Sequence, residues 1–194
     1  MQFVEFFAIA FLGLATGVSA FNAGRPFVVY NIKRIFAAAV FGILIVLIYR
    51  SFAQYQAWIV IAPAKYLLPP YAGWSYFATY VGWKFFAPYL ASFLTGILFA
   101  LLMRAYNARH ENQFFYEEEY YFAVLAIFLT GHPGWIFYIL SLVLAGVVIV
   151  VVRSLVFKNL EKTSFYYLWW PVALFVIIIS KWIAAFEFYK ILKF

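Results

Sequence analysis

The chain has 194 residues, of which 68% are hydrophobic and 11% are charged, and its formal net charge is +7. Soluble domains carry about a quarter charged residues, so this composition indicates a chain surrounded mainly by lipid. All seven acidic residues are glutamates and there is no cysteine, which excludes aspartate chemistry, disulfides, thiolate nucleophiles and cysteine-ligated zinc.

Six apolar stretches along the chain are candidates for membrane-crossing helices. A helix needs about 20 apolar residues to cross a hydrocarbon core of about 30 Å. The first stretch lacks the basic segment that opens a cleaved signal peptide, so we expect it to be retained. The second is short, and it crosses only if Lys33, Arg34 and Arg50 extend to the interfaces. The predicted spans are residues 3–23, 35–49, 85–103, 120–130, 134–152 and 165–186.

The fourth and fifth spans are separated by Gly131-His132-Pro133-Gly134, a strong turn signal within a long uncharged stretch. The segment before this turn reaches full crossing length only if its helix starts near Phe114 and carries glutamates into the interface. The last span opens with tyrosines and tryptophans, which are typical of a membrane–water interface.

Residues 51–84 are unlike these spans. They mix glutamines and lysines with many aromatic rings, and Pro63, Pro69 and Pro70 interrupt them. Amphipathic rings suit the headgroup region, so we expect an interfacial or re-entrant segment. The predicted fold is all-α: a polytopic transmembrane helical bundle of about six spans, roughly five to seven, in a single integral membrane domain covering residues 1–194.

The distribution of lysine and arginine predicts an orientation. With six spans and residues 51–84 outside, eight basic residues fall on one side and five on the other. The side with eight basic residues is expected in the cytoplasm, which puts both termini outside. If residues 51–84 form a seventh span instead, the predicted orientation of every later span is reversed. The first side holds Arg25, Lys33, Arg34, Arg104, Arg109, Arg153, Lys158 and Lys162, and the second holds Arg50, Lys65, Lys84, Lys190 and Lys193.

Small residues recur at helical spacing in the first span and just after it, at Gly13, Gly17, Ala20 and Gly24. This GxxxG pattern leaves one helix face almost without side chains, so another helix can approach closely. We favour a partner helix within the same chain over a helix of another subunit.

Residues 104–119 hold four of the seven acids, three of them adjacent at positions 117–119. One interpretation is a metal or proton site. Adjacent residues of a helix do not share a face, so at most two of these three carboxylates could act together. We favour a solvated loop that is neutralised by its own arginines.

Three polar residues are candidate sites: Glu118, His132 and Lys181. An ionisable group inside a span is a functional candidate, and Lys181 lies deeper than the other basic residues if the last span extends to Phe186. No phosphate-binding, zinc-protease or nucleophile-elbow motif occurs, so we predict no catalytic, cofactor or metal site. The basic residues flank spans, which favours contact with lipid and gives no indication of nucleic-acid binding.

Three stretches of the chain share a layout with a known family. Residues 13–26 run from small residues through Asn22 to Arg25 and Pro26, and residues 62–70 and 118–135 follow in order. They are similar to the first-helix motif of prepilin peptidases and to the segments near the two catalytic aspartates of that family. Prepilin peptidases are intramembrane aspartyl proteases of type IV pilus and secretion systems.

The chain departs from this family at both catalytic positions. Ala62 or Pro63 stands where the family has its first aspartate, and glutamates without a preceding glycine replace its Gly-Asp pair. A chain without aspartate cannot run the family's reaction in the same way. The resemblance therefore implies a degenerate relative kept for binding, with Glu118 as the candidate substitute for a catalytic acid.

From these features we expect a non-enzymatic integral membrane subunit of a larger multi-protein membrane complex, with membrane lipids and other membrane subunits as partners. The resemblance favours secretion, pilus or conjugation machinery, and a respiratory or other energy-converting assembly is the alternative complex. Two other functions stay open: a degenerate intramembrane peptidase-like protein, and a small transporter or lipid-binding protein suggested by the interrupted helices. The expected location is a bacterial or organellar inner membrane.

Overall fold

The computed structural model describes residues 2–20, 24–157 and 166–192, and every regular element within these ranges is helical. The all-α prediction is therefore confirmed for this part of the chain. Its α-helices are α1 (Gln2–Ala20), α2 (Gly24–Val60), α3 (Trp74–Val81), α4 (Ala87–Arg109), α5 (Glu117–Thr130), α6 (Gly134–Val152), α7 (Trp169–Ile183) and α8 (Glu187–Leu192). A 3-10 turn covers Ala64–Leu67, and π-helical turns cover Gly82–Phe86 and Arg153–Phe157.

Within the described residues, four helices are long and apolar enough to cross a membrane: Phe3–Ala20, Pro26–Val60, Trp74–Arg109 and Gly134–Leu155. The third joins α3, a π turn and α4 without a break. α7 is apolar but has only 15 residues, and α5 has 14. Predicted spans four and six are therefore helical but shorter than the lengths expected of isolated crossings.

Successive long helices run in opposite directions between two ends of a bundle. The ring of Phe3 lies 6.0 Å from that of Tyr49, which sets the start of α1 beside the second half of α2. Asn107 near the end of α4 contacts Tyr120 at the start of α5. We call the end with the 110–116 loop and the start of α7 the Glu119 end, and the end with the 131–133 turn the His132 end.

α5 is the central helix. All eight residues from 122 to 129 are buried, and α2, α4, α6 and α7 surround them. The approach of α4 is close, because a Cβ built on Gly96 would lie 3.1 Å from the carbonyl oxygen of Val124. The long helices α2 and α6, by contrast, bury only narrow stripes of residues and leave many large apolar side chains exposed.

The turn between α5 and α6 is where the sequence predicts it. α5 ends at Thr130 and α6 begins at Gly134. Gly131 has a φ of +64°, which an L side chain rarely adopts, and a Cβ built on it would be in ordinary van der Waals contact with the ring of Tyr89, at 3.4 Å. Glycine is therefore favoured here by the backbone conformation.

Residues 51–86 form a hairpin that we call the aromatic lobe. The chain is interrupted between Val60 and Trp74, where the three prolines lie, but the interruption is shorter than the predicted segment 51–84, because α2 continues to Val60 and the chain is helical again from Trp74. The interfacial or re-entrant position of this segment stays a prediction. Trp58 lies at the centre of the lobe, with its ring 5.4 Å from that of Phe77 and 4.7 Å from that of Tyr80. Ring packing thus joins the two arms of the hairpin.

Candidate functional site

The buried carboxylate of Glu119 is the most unusual polar feature in the described part of the chain. Its side chain is only 1% exposed, and it is the one charged residue among the buried polar residues there. Glu119 Oε2 accepts a hydrogen bond of 2.9 Å from Trp169 Nε1, and Oε1 accepts one of 3.2 Å from the backbone N–H of Tyr116. The carboxylate therefore links the first turn of α5 to the first residue of α7.

The local sequence explains the position of Glu119. It is the third residue of α5, where a glutamate side chain can reach back to the backbone N–H of the residue before the helix. A negative charge at that place also faces the positive end of the helix dipole. The contact with Trp169, fifty residues away, then takes the same carboxylate out of water.

A second polar contact extends this link to α6. The hydroxyl of Tyr138, which is completely buried, donates to the backbone carbonyl of Trp169 over 3.2 Å. Trp169 is thus held through both its indole N–H and its main chain. Three helices, α5, α6 and α7, meet at this residue.

Asn107 organises the neighbouring loop, and its side chain is 2% exposed. Its Nδ2 donates to the carbonyl of Phe115 and to the Tyr120 hydroxyl, both at 2.9 Å. Its Oδ1 accepts from the backbone N–H groups of Phe114 at 2.9 Å and Phe115 at 3.2 Å. Both donors and both acceptor positions of the amide are used, so Asn107 fixes the path between α4 and α5.

The interpretation of residues 104–119 as a solvated loop holds for part of the stretch only. Arg104, Arg109, Glu111 and Glu117 are exposed, whereas Glu119 is buried. The described residues contain no group of three histidines or carboxylates able to hold a metal ion. The chemical feature of the Glu119 end is therefore a buried carboxylate that accepts hydrogen bonds and so links helices.

The three predicted polar residues do not converge. Glu118 is half-buried at the start of α5, and His132 follows the end of the same helix, about 18 Å further along its axis. Lys181 is exposed in the last turn of α7. The α-helix is shorter than the predicted span 165–186, because α7 ends at Ile183, and Lys181 lies two residues before that end.

His132 connects the 131–133 turn to the C-terminal helix. Trp135 Nε1 donates to His132 Nδ1 over 3.1 Å, which leaves the proton on Nε2 to be donated to the carbonyl of Leu192 at 2.6 Å. Tyr189 of the same helix is buried, with its ring 5.8 Å from that of Phe137. Burial, with a smaller contribution from the Glu5 carboxylate, raises the pKa of the Tyr189 hydroxyl above its ordinary value.

The predicted helix-packing residues lie on an open face of α1. A Cβ built on Gly13 or Gly17 would meet no atom within 4 Å, and Ala20 is exposed. In the described part of the chain, no other helix therefore packs against Gly13 or Gly17. Gly24 is the first residue of α2.

The opposite face of α1 makes the contacts within the chain. Val4, Ala8 and Leu12 are buried, and the ring of Phe7 fills the space beside Gly42 of α2. Sequence spacing identified the small-residue face but could not say which face the bundle covers. Of the basic residues that predicted the orientation, Lys158, Lys162 and Lys193 lie outside the described residues.

Comparison with known proteins gives no relative of this chain. No family model matches it, and no curated protein or solved structure matches it either. The similarity to prepilin peptidases stays a prediction, as do the functions that depend on it. The part of the chain that the structure describes defines a class: it is all-helical, with four helices long and apolar enough to cross a membrane.

Proposed function

We propose that this chain is an integral membrane protein with six crossings that acts as a non-enzymatic subunit of a larger membrane complex. The alternating directions of α1, α2, the α3–α4 helix, α5, α6 and α7 support six crossings. The short length of α5 is compatible with this topology, because other helices surround it and its length need not match the thickness of the hydrocarbon core. The excess of basic residues favours the Glu119 end as the cytoplasmic side.

The open face of α1 carries the proposal of a subunit role. Gly13 and Gly17 have no neighbour within 4 Å of a Cβ position, so lipid would find few side-chain atoms to contact there. A helix from another protein can approach such a face closely and gain backbone and side-chain packing. The partner is therefore a transmembrane helix of another subunit. Secretion, pilus or conjugation machinery is favoured by the sequence resemblance, and an energy-converting assembly is the alternative.

Co-purification from native membranes tests the subunit role. A tagged chain at native expression level, extracted in mild detergent, should retain a membrane protein in stoichiometric amount, and Gly17→Leu should reduce that protein at least tenfold. Gly82→Leu is the matched control, because a Cβ on Gly82 also meets no atom within 4 Å. A wild-type chain that purifies alone and monodisperse, or a Gly17→Leu chain that keeps its partner, would contradict the proposal.

Cysteine labelling tests the six crossings separately. The chain contains no cysteine, so single cysteines can be introduced without background reaction. Cysteines at Val60 and His132 should react with an impermeant reagent from the non-cytoplasmic side, and one at Gln113 only from the cytoplasmic side. Reaction of position 132 from the cytoplasm would rule out this topology.

A further inference from the structure

A cavity of about 200 Å³ lies at the Glu119 end, between the end of α1 and the starts of α5 and α7. Its walls are largely aromatic, and the rings of Phe122 and Trp170 pack against each other with centroids 4.5 Å apart. Ala20, Tyr167 and Pro171 are exposed, so the cavity opens towards the outside of the bundle. The lining residues are Thr16, Ser19, Ala20, Phe122, Tyr166, Tyr167, Trp170 and Pro171.

Two lining residues have buried polar atoms that find no hydrogen-bond partner in the described part of the chain: Thr16 through Oγ1 and Trp170 through Nε1. Trp170 is 4% exposed, so bulk water does not accept a hydrogen bond from its indole N–H. An indole N–H can only donate, and a hydroxyl can donate as well. Burying such donors without an acceptor is unfavourable, so the cavity is suited to a ligand that brings an acceptor oxygen and an apolar body.

The position of the cavity indicates the source of that acceptor. Ala20 is the last residue of α1 and Trp170 the second of α7, so the opening lies where apolar helices end. In a bilayer this is the depth of the interface, just outside the hydrocarbon core. The ester groups that join acyl chains to glycerol are located there, and they offer carbonyl oxygens beside apolar chains.

We propose that this cavity binds the ester region of one diacyl phospholipid, with an ester carbonyl accepting a hydrogen bond from Trp170 Nε1. The first methylene groups of an acyl chain lie against the aromatic walls, and the Thr16 hydroxyl is the second donor. This site is independent of the proposed subunit role, because the lipid binds to the chain itself and needs no partner protein.

Native mass spectrometry of the purified chain tests the proposal with two synthetic phospholipids of identical headgroup, one with ester-linked chains and one with ether-linked chains. The wild type should bind one ester lipid about 5–10-fold more tightly than the ether lipid, which has no carbonyl oxygen. Trp170→Phe keeps the ring but removes the N–H, so this preference should fall to about one. Trp182→Phe, at an exposed position of the same helix, should keep the full preference.

Two further measurements keep the test decisive. If Trp170→Phe does not fold, Thr16→Val and the wild-type comparison of the two lipids replace it, and Thr16→Val should lower the preference for the ester lipid. Equal binding of ester and ether lipids by the wild type would overturn the proposal. It would also be overturned if a folded Trp170→Phe chain kept the preference, or if bound lipid was as abundant as expected for non-specific association.

Discussion

Replacing Glu119 with alanine should destabilise the folded chain, whereas the same change at Glu118 should have little effect. Without the carboxylate, the buried Trp169 Nε1 loses the acceptor that lies 2.9 Å away, which costs about 1–3 kcal/mol. The backbone N–H of Tyr116 also loses its acceptor, but the residue is exposed, so water limits this cost to about 1 kcal/mol. The total is about 2–4 kcal/mol, or about 5–15 °C in melting temperature for a chain of this size.

Thermal unfolding in detergent, followed by size-exclusion chromatography of heated samples, measures this difference. Glu118→Ala removes the same charge from the same helix end, so the helix-dipole contribution cancels in the comparison. Glu118 is half-buried and we expect a shift below about 2 °C. Adding Trp169→Phe to Glu119→Ala removes the indole N–H that has lost the Glu119 carboxylate and should restore part of the stability. Equal shifts for the two alanine variants, or no recovery in the double variant, would refute the role assigned to Glu119.

Three other substitutions test the packing and the loops. Gly96→Ala should lower the free energy of unfolding by about 1–2 kcal/mol, because its Cβ would press on the backbone of Val124. Gly82→Ala is the control and should be neutral or stabilising, because its Cβ would lie in open space. Equal effects of the two substitutions in a thermal unfolding assay would contradict the close α4–α5 contact. Asn107→Ala removes four hydrogen bonds that fix the 110–116 loop and should make limited proteolysis there at least tenfold faster, and unchanged cleavage would count against it. His132→Ala removes the acceptor of Trp135 and the donor to Leu192, so cleavage before α8 should accelerate with little change in melting temperature, and a large loss of global stability would contradict this local role.

Local sequence signals predicted the helices and the turn at Gly131 well, because apolar length and turn residues act over short distances. The extension of α2 to Val60 was missed for a physical reason: no proline or glycine interrupts the chain between Gly42 and Pro63, and its amide and aromatic residues are compatible with a helix. The burial of Glu119 was not predictable in the same way, since it depends on Trp169 far along the chain. No local signature marked Glu119, because Tyr116 is not one of the Ser, Thr, Asp or Asn residues that open a capping box in a sequence.

Ala20 joins the two proposals made for α1. It continues the small-residue face of Gly13 and Gly17, and it also lies at the exposed mouth of the cavity that contains Trp170. A partner helix packed on the open face of α1 would border that mouth. A lipid bound there would then be enclosed between two proteins and would exchange more slowly than in the isolated chain. Gly17→Leu should then accelerate lipid exchange in the assembled complex but leave lipid affinity of the purified chain unchanged, because position 17 does not line the cavity. Faster lipid exchange in the purified Gly17→Leu chain would show instead that the open face of α1 contributes directly to the lipid site.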